Sequence, residues 1–467
     1  MDASDRRFFV ILYVTYFLLA LLFNAFTPLG ESPDEIWHYQ YIRIVYDEQR
    51  LPSARDDLWE GHQAPIYYMA QASWAYLLHL IIGCEIRADR TPNQATPGFV
   101  KGDNFNNLIH SVSERLPHWT CTEFTFHLLR VFSALLTLLM IVFTVRLLME
   151  VLPSSPTTVR LAATFVALLP SHVFISTMLN NDSLVNLLIV AAMYYLARTL
   201  RTADIGNFVR GVVAAAMAVA AKTSAIFLLP LFTILVLIRK DLRRKMLDVR
   251  FNTERGWIVV AAIALPVVLF FRNYLEWGDP FGLTVLERNL SMLKKAGMIP
   301  ASGGSIIDYY LREFPAVMIR GVFVSFGAIN FSDVPALIWL QAYGLAIAIG
   351  TVVSLTWQRG LLWRSAARAP LLFLILGFGL FFVTYFYPGY RYRWLQARYF
   401  FHQLPLLSII AGIGITALWQ EAKRVIPRLQ DRVIVYGHYG FLVVMNVLVL
   451  AFGVIDHLYR YIGVMGS

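Results

Sequence analysis

Between Glu31 and Tyr41 the chain reads Glu-Ser-Pro-Asp-Glu-Ile-Trp-His-Tyr-Gln-Tyr, with Asp34 and His38 four residues apart. On a helix that spacing puts a carboxylate and an imidazole on one face. Such a pair can move a proton or ligate a metal. The residues around it read as a helix start, with Ser32 as cap, Pro33 in the first position and Glu35 closing a Ser-x-x-Glu capping box. Capping accounts for Ser32, Pro33 and Glu35 but leaves Asp34 and His38 unexplained.

Other polar residues interrupt the apolar sequence at a few places. Asp182, in Asn180-Asn181-Asp182-Ser183, is either an N-cap or a second carboxylate near Asp34, acting as acid/base partner or metal ligand. Lys222 sits at the tip between two short apolar runs, either snorkelling to head groups or serving function. Arg391, Arg393 and Arg398 are interleaved with Tyr390, Tyr392, Trp394 and Tyr399. A guanidinium offers phosphate a planar fork of donors, and aromatic rings stack on sugars or sit at the interface. His62 and Gln63, in Glu60-Gly-His-Gln-Ala-Pro65, face the Asp34 pocket or form a plain helix-entry turn. Six of the ten histidines lie between His38 and His127, in no zinc-site spacing. The absence of a Walker loop, a dinucleotide glycine motif and Gly-x-Ser-x-Gly argues against nucleotide-driven transport and serine hydrolysis.

The elements that must position these residues are membrane helices. The 467 residues are 58% hydrophobic and only 15% charged, which predicts an all-α polytopic membrane protein. The net charge of +10 falls mostly in short loops, where it sets topology and meets anionic lipid, so nucleic acid is not an expected partner. Arg6 and Arg7 precede an apolar run without a small-residue cleavage site, as in an uncleaved anchor with a cytoplasmic N-terminus. Spans are expected at 8–29, 124–149, 159–178, 183–200, 208–221, 224–238, 257–274, 334–357, 370–387, 399–419 and 433–455, about eleven in all. Counting 65–83 as another would put Arg239, Lys240, Arg243, Arg244 and Lys245 outside, against the positive-inside bias. That stretch is therefore expected along the surface.

This threading makes 1–467 one transmembrane domain with no separate soluble domain. Residues 30–123 form a first external loop with two interfacial helices, and 275–331 form a second, whose 316–326 piece is re-entrant or interfacial. Both cysteines, Cys84 and Cys121, fall in the first loop, on the oxidising side, and are expected to form a disulfide.

Together these residues resemble the GT-C superfamily of membrane glycosyltransferases, in the branch of the protein O-mannosyltransferases and the lipid A aminoarabinose transferase. Pro33-Asp34-Glu35 with His38, the His62-Gln-Ala-Pro-Ile-Tyr-Tyr helix, Asn181-Asp182, Lys222-Thr223 and Arg398-Tyr399 with Pro405 carry the resemblance. It implies a polyprenyl-phosphate sugar donor, hexosyl or pentosyl, and transfer on the external face of a bacterial cell membrane. The family's catalytic acid maps onto Asp34, with Glu35 as a second candidate, and its phosphate-binding residues onto Lys222, Arg391, Arg393 and Arg398. The acceptor would be a lipid, glycan or protein hydroxyl, and a single carboxylate base with direct displacement implies inversion. A divalent metal at Asp34 and Asp182 stays open. Two other classes remain: a flippase or transporter for a lipid-linked saccharide, and a non-catalytic subunit of an envelope-assembly complex.

Overall fold

Backbone amides inside a bilayer have no water to bond, so long apolar runs satisfy them internally as helices. The computed structural model describes residues 3–85, 91–92, 106, 108–247, 254–295, 305–323, 336–357, 365–392 and 396–463. In chain order the helices are α1 (Ala3–Phe26), α2 (Glu35–Glu48), α3 (Ile66–Ile82), α4 (Cys121–Val151), α5 (Pro156–Leu168) and α6 (Pro170–Ser176). There follow α7 (Asp182–Thr202), α8 (Ile205–Ala221), α9 (Leu228–Ile238), α10 (Lys240–Leu247), α11 (Glu254–Trp277) and α12 (Leu283–Lys295). The last are α13 (Ile306–Asp308), α14 (Phe314–Phe323), α15 (Ala336–Trp357), α16 (Ser365–Tyr392), α17 (Leu404–Val425) and α18 (Asp431–Val449). Among the described residues the only strands are β1 (Thr91–Pro92) and β2 (Leu108–Ile109), paired antiparallel.

Among the described residues eight helices are long and apolar enough to cross a membrane: α1, α4, α7, α11, α15, α16, α17 and α18, the last two lengthened by adjoining turns. The expected span at 159–178 is instead α5 and α6, bent by 51°. Pro170 at the start of α6 lacks the amide that would continue the hydrogen-bond ladder. The runs at 208–221 and 224–238 are shorter apolar helices; the 17 residues of α8 reach about 26 Å. The stretch at 65–83 becomes α3, which is not among the eight and packs on α2 and α4. The ten residues of α14 reach only about 15 Å.

Small residues decide how closely α17 approaches its neighbours. A Cβ on Gly412 would lie 2.8 Å from the Thr158 carbonyl oxygen of α5, and one on Gly414 2.6 Å from that of Ile347 in α15. Close backbone approach of this kind is how membrane helices gain packing without a hydrophobic drive between them. Around α4, α7 and α8, leucine, valine and alanine side chains interlock into one buried cluster that continues through α17. The first loop packs separately, with Tyr39, Tyr41, Tyr67, Tyr68 and Phe126 in its core. Cys84 and Cys121 are joined, with Cα atoms 5.4 Å apart, tying the end of α3 to the start of α4.

Candidate active site

The segment after α1 does not start its helix as the capping pattern predicts. The N-cap of α2 is Asp34, in the left-handed region (φ 62°, ψ 3°), and no side chain caps the helix. Ser32 donates its hydroxyl to the Met178 sulfur instead. Glu35 turns inward to Arg130, accepting from Nε at 2.8 Å and Nη2 at 2.6 Å, and from the Gly30 and Leu179 amides at 3.0 Å each. Both side chains of this ion pair are fully buried. A guanidinium inside a span demands a carboxylate, and that demand outweighs a surface cap. Glu35 is therefore fully committed to the scaffold and does not line the cavity described next.

With no capping bond to make, the Asp34 carboxylate faces a cavity of about 170 Å3 between the first loop and the ends of the membrane helices. Arg398 closes on it from the far side, donating Nη2 to Asp34 Oδ2 and Nη1 to the Pro33 carbonyl at 3.1 Å. Arg398 belongs to the 3-10 turn Ala397–Gln403 before α17, which also carries Tyr399 and His402 to the cavity. Asp182 is the first residue of α7, with Asn181 in the cap position. Its carboxylate accepts from Lys222 Nζ at 2.5 Å, so it pairs with a cation and caps nothing. Lys222 follows α8 in an extended conformation, its ammonium 5.4 Å from the Tyr399 ring centre, and Arg398 lies 5.1 Å from the same ring. Tyr399 thus holds both cations at one end of the cavity.

His38 lies one turn along α2 from Asp34 and lines the same cavity, but the two do not form a hydrogen-bonded pair. Its Nδ1 is 2.8 Å from the Tyr68 hydroxyl. Burial pushes the imidazole down to about 3, against the opposing pull of Asp34, so it is neutral at ordinary pH. His62 and Gln63 also line the cavity, through the turn before α3. Gln63 Oε1 accepts from Asn181 Nδ2 at 3.2 Å. Burial pushes His62 down to about 4, and its ring lies so close to Gly282 (φ +71°) that a Cβ there would be 2.3 Å from His62 Cδ2.

Glu60 is a cavity residue that the sequence left inside a helix-entry turn. It is buried, and first that burial, then the neighbouring Asp34 charge, pushes its carboxyl up to about 7. Phe281 just before α12, Leu283 and Leu286 within it, and Phe381 and Tyr385 of α16 supply an apolar wall. Arg391 is not brought to this place: half-exposed at the end of α16, it pairs with Glu287 at 3.0 Å. Arg393 lies outside the described residues. A divalent metal fits poorly here. Asp34 and Asp182 each already hold a cationic side chain, and no group of three or more His, Cys, Asp or Glu converges among the described residues.

A family model described as dolichyl-phosphate-mannose-protein mannosyltransferase matches residues 121–270, the stretch from α4 into α11 that holds Asp182 and Lys222. No curated protein matches the sequence significantly. Among solved structures, ArnT from Cupriavidus metallidurans in the apo state is similar over 99% of this chain and 78% of its own, at 12% identity and a TM-score of 0.52. The same protein bound to undecaprenyl phosphate is similar over 99% of this chain and 74% of its own, at 12% identity and a TM-score of 0.49. The chain has a polytopic helical fold like that of ArnT. Its likeness to ArnT, extending over nearly the whole chain, is a likeness of architecture.

Proposed function

We propose that this protein is a membrane glycosyltransferase that moves a sugar from a polyprenyl-phosphate donor to an acceptor hydroxyl. The observation that carries this reading is the convergence of Asp34, Lys222, Arg398 and Tyr399 on one cavity with an apolar wall, within a fold like that of ArnT. The match of residues 121–270 to a dolichyl-phosphate-mannose-protein mannosyltransferase model supports the donor class.

The acceptor oxygen attacks the sugar C1 while the bond from C1 to the phosphate oxygen breaks, and its electron pair leaves with the lipid phosphate. Lys222 and Arg398 stabilise the charge that develops there, in a cavity where apolar walls strengthen their effect. Asp34 receives the acceptor proton as the donor phosphate draws Arg398 from it. Direct displacement inverts C1. The wall formed by Phe281, Leu283, Leu286, Phe381 and Tyr385 suits the first isoprene units.

Charge placement supports an external cavity and a cytoplasmic N-terminus. Asp34 follows the end of α1, Asp182 and Arg398 stand at or before the starts of α7 and α17, and Lys222 follows the end of α8. The opposite ends carry Arg6 and Arg7 on α1, Arg198 and Arg201 on α7, Arg239 after α9, and Lys423 and Arg424 on α17. That is the positive-inside pattern, and residues 1–467 are read as one membrane domain on this basis. The test is transfer of radiolabelled sugar from a polyprenyl phosphate donor by purified protein in detergent, with the product's anomeric configuration assigned. Donor binding without transfer would replace the enzyme with a flippase or a non-catalytic subunit.

A further inference from the structure

The charges lining the cavity nearly cancel before any substrate arrives. Arg398 is paired with Asp34, and Lys222 with Asp182. His38 and His62 are held neutral by burial, at about 3 and about 4. Glu60 is the exception: its side chain bonds Gln63, and among the described residues no cation pairs with it. The groups that act on it are Asp34 at the head of α2, Lys222 after α8 and Arg398 before α17, with the Tyr68 and Tyr399 phenols also near. From the α12 side the cavity receives only uncharged groups, Leu283, Leu286 and Asn289.

A sugar linked to a lipid through one phosphate is a phosphodiester and carries one negative charge. Bringing it against Lys222 and Arg398 adds that charge to a cavity whose cations are already matched by Asp34 and Asp182. The apolar wall screens such an excess far less than water does. The unpaired carboxylate is the group whose charge can be given up. We propose that Glu60 sets the charge balance of this site, so that the phosphodiester donor binds with the Glu60 carboxyl protonated and its binding draws one proton onto that residue. This rests on the lipid-phosphate reading of the cavity. Glu60 is a positioning residue here: neutral, it donates a hydrogen bond instead of repelling the anion. Its free carboxyl already sits at about 7, so donor binding raises it further.

The sign follows from linkage. Below about pH 7 Glu60 is protonated with or without ligand, and affinity does not depend on pH. Above about 7 the free protein must take up a proton to bind, and affinity falls by up to about tenfold per pH unit. The probe is a polyprenyl methyl phosphate, a diester that does not titrate in this range, whereas a monoester ionises again near 6. Its affinity for the purified full chain is measured by calorimetry from about pH 6 to about pH 9, in buffers of different ionisation heat. Wild-type protein should lose affinity with rising pH and take up close to one proton per ligand near pH 8. Glu60→Gln, which mimics the neutral carboxyl, should bind at the wild-type low-pH level throughout, with no uptake. A flat wild-type profile without uptake, or an unchanged slope in Glu60→Gln, overturns the assignment and leaves the donor class standing. Absence of binding at every pH, in both proteins, would overturn the lipid-phosphate reading itself.

Discussion

Arg398 and Asp34, 364 residues apart in sequence, form an ion pair across the cavity, in which the arginine is only 5% exposed and the aspartate 30%. The guanidinium also holds the Pro33 carbonyl at 3.1 Å, so the turn that aims Asp34 is fixed by the residue its carboxylate faces. The guanidinium occupies Oδ2 of this carboxylate until it is drawn away. In the proposed reaction a donor phosphate competes for the same guanidinium, which would couple donor binding to the freeing of Asp34.

Replacing Asp34 by Asn keeps the shape and removes the proposed proton acceptor. Turnover is expected to fall by roughly the 10²–10⁴ of a lost general base, while donor affinity holds or rises because Arg398 is freed. Single-turnover transfer and separate donor-binding measurements check the two halves. Near-normal turnover in Asp34→Asn would remove Asp34 from the chemistry.

The arginines of the expected 391–398 cluster should separate. Arg398→Ala weakens donor binding, and Arg398→Lys restores only part of it because the forked geometry is lost. Lys222→Ala acts in the same direction and also leaves Asp182 unpaired. Arg391→Ala should change donor affinity little, since Arg391 pairs with Glu287 at the surface. Equal losses at Arg391 and Arg398 would mean that the loop acts as one unit.

Much of the site was legible because polar residues at the ends of apolar runs have little else to explain them. Asp34, Asp182, Lys222 and the adjacent pair Arg398 and Tyr399 come from four separate places in the chain and line one cavity. What failed was reasoning from local pattern alone. Ser32 and Glu35 have capping-box spacing, but Arg130, a fully buried charge inside the run at 124–149, recruits Glu35. Arg391 and Arg398 look like a single patch, yet the end of α16 carries one outward and the turn before α17 carries the other inward. Glu60 sits in an ordinary helix-entry turn, and only the distant Asp34, Lys222 and Arg398 give it a chemical setting.

The Glu35–Arg130 pair should matter for folding rather than for chemistry. Arg130 also donates to the Thr27 carbonyl at 2.6 Å and the Pro28 carbonyl at 2.9 Å, binding the end of α1 to α4 beneath the Asp34 turn. Removing one partner of a buried pair leaves an uncompensated charge and costs about 3–5 kcal/mol. Glu35→Gln should therefore lower the thermal midpoint in detergent clearly, and Glu35→Gln with Arg130→Met should recover much of the loss. A Glu35→Gln protein of unchanged stability but no turnover would return Glu35 to the catalytic group.

A second buried cluster ties the first loop to the C-terminal segment and should make stability depend on pH. His110 lies between Glu31, at 2.8 Å from Nε2, and Glu114, at 2.9 Å from Nδ1, all three side chains fully buried. Its carbonyl accepts from the Gly463 amide at 2.8 Å, and Glu31 Oε1 also accepts from the Leu108 amide at 2.8 Å. Burial alone would depress the imidazole, but hydrogen bonds to Glu114 and Glu31 outweigh it and push His110 up to about 9. A raised folded value means that the stabilisation is fully present below the ordinary histidine value near 6.5 and is lost as pH rises through about 9. Thermal unfolding of the wild type should accordingly show a falling midpoint between those limits. In His110→Gln, which cannot carry the proton, that slope should vanish and the midpoint at neutral pH should be lower. A wild-type midpoint that stays level from neutral pH to beyond 9 would mean that His110 is not charged in the folded protein.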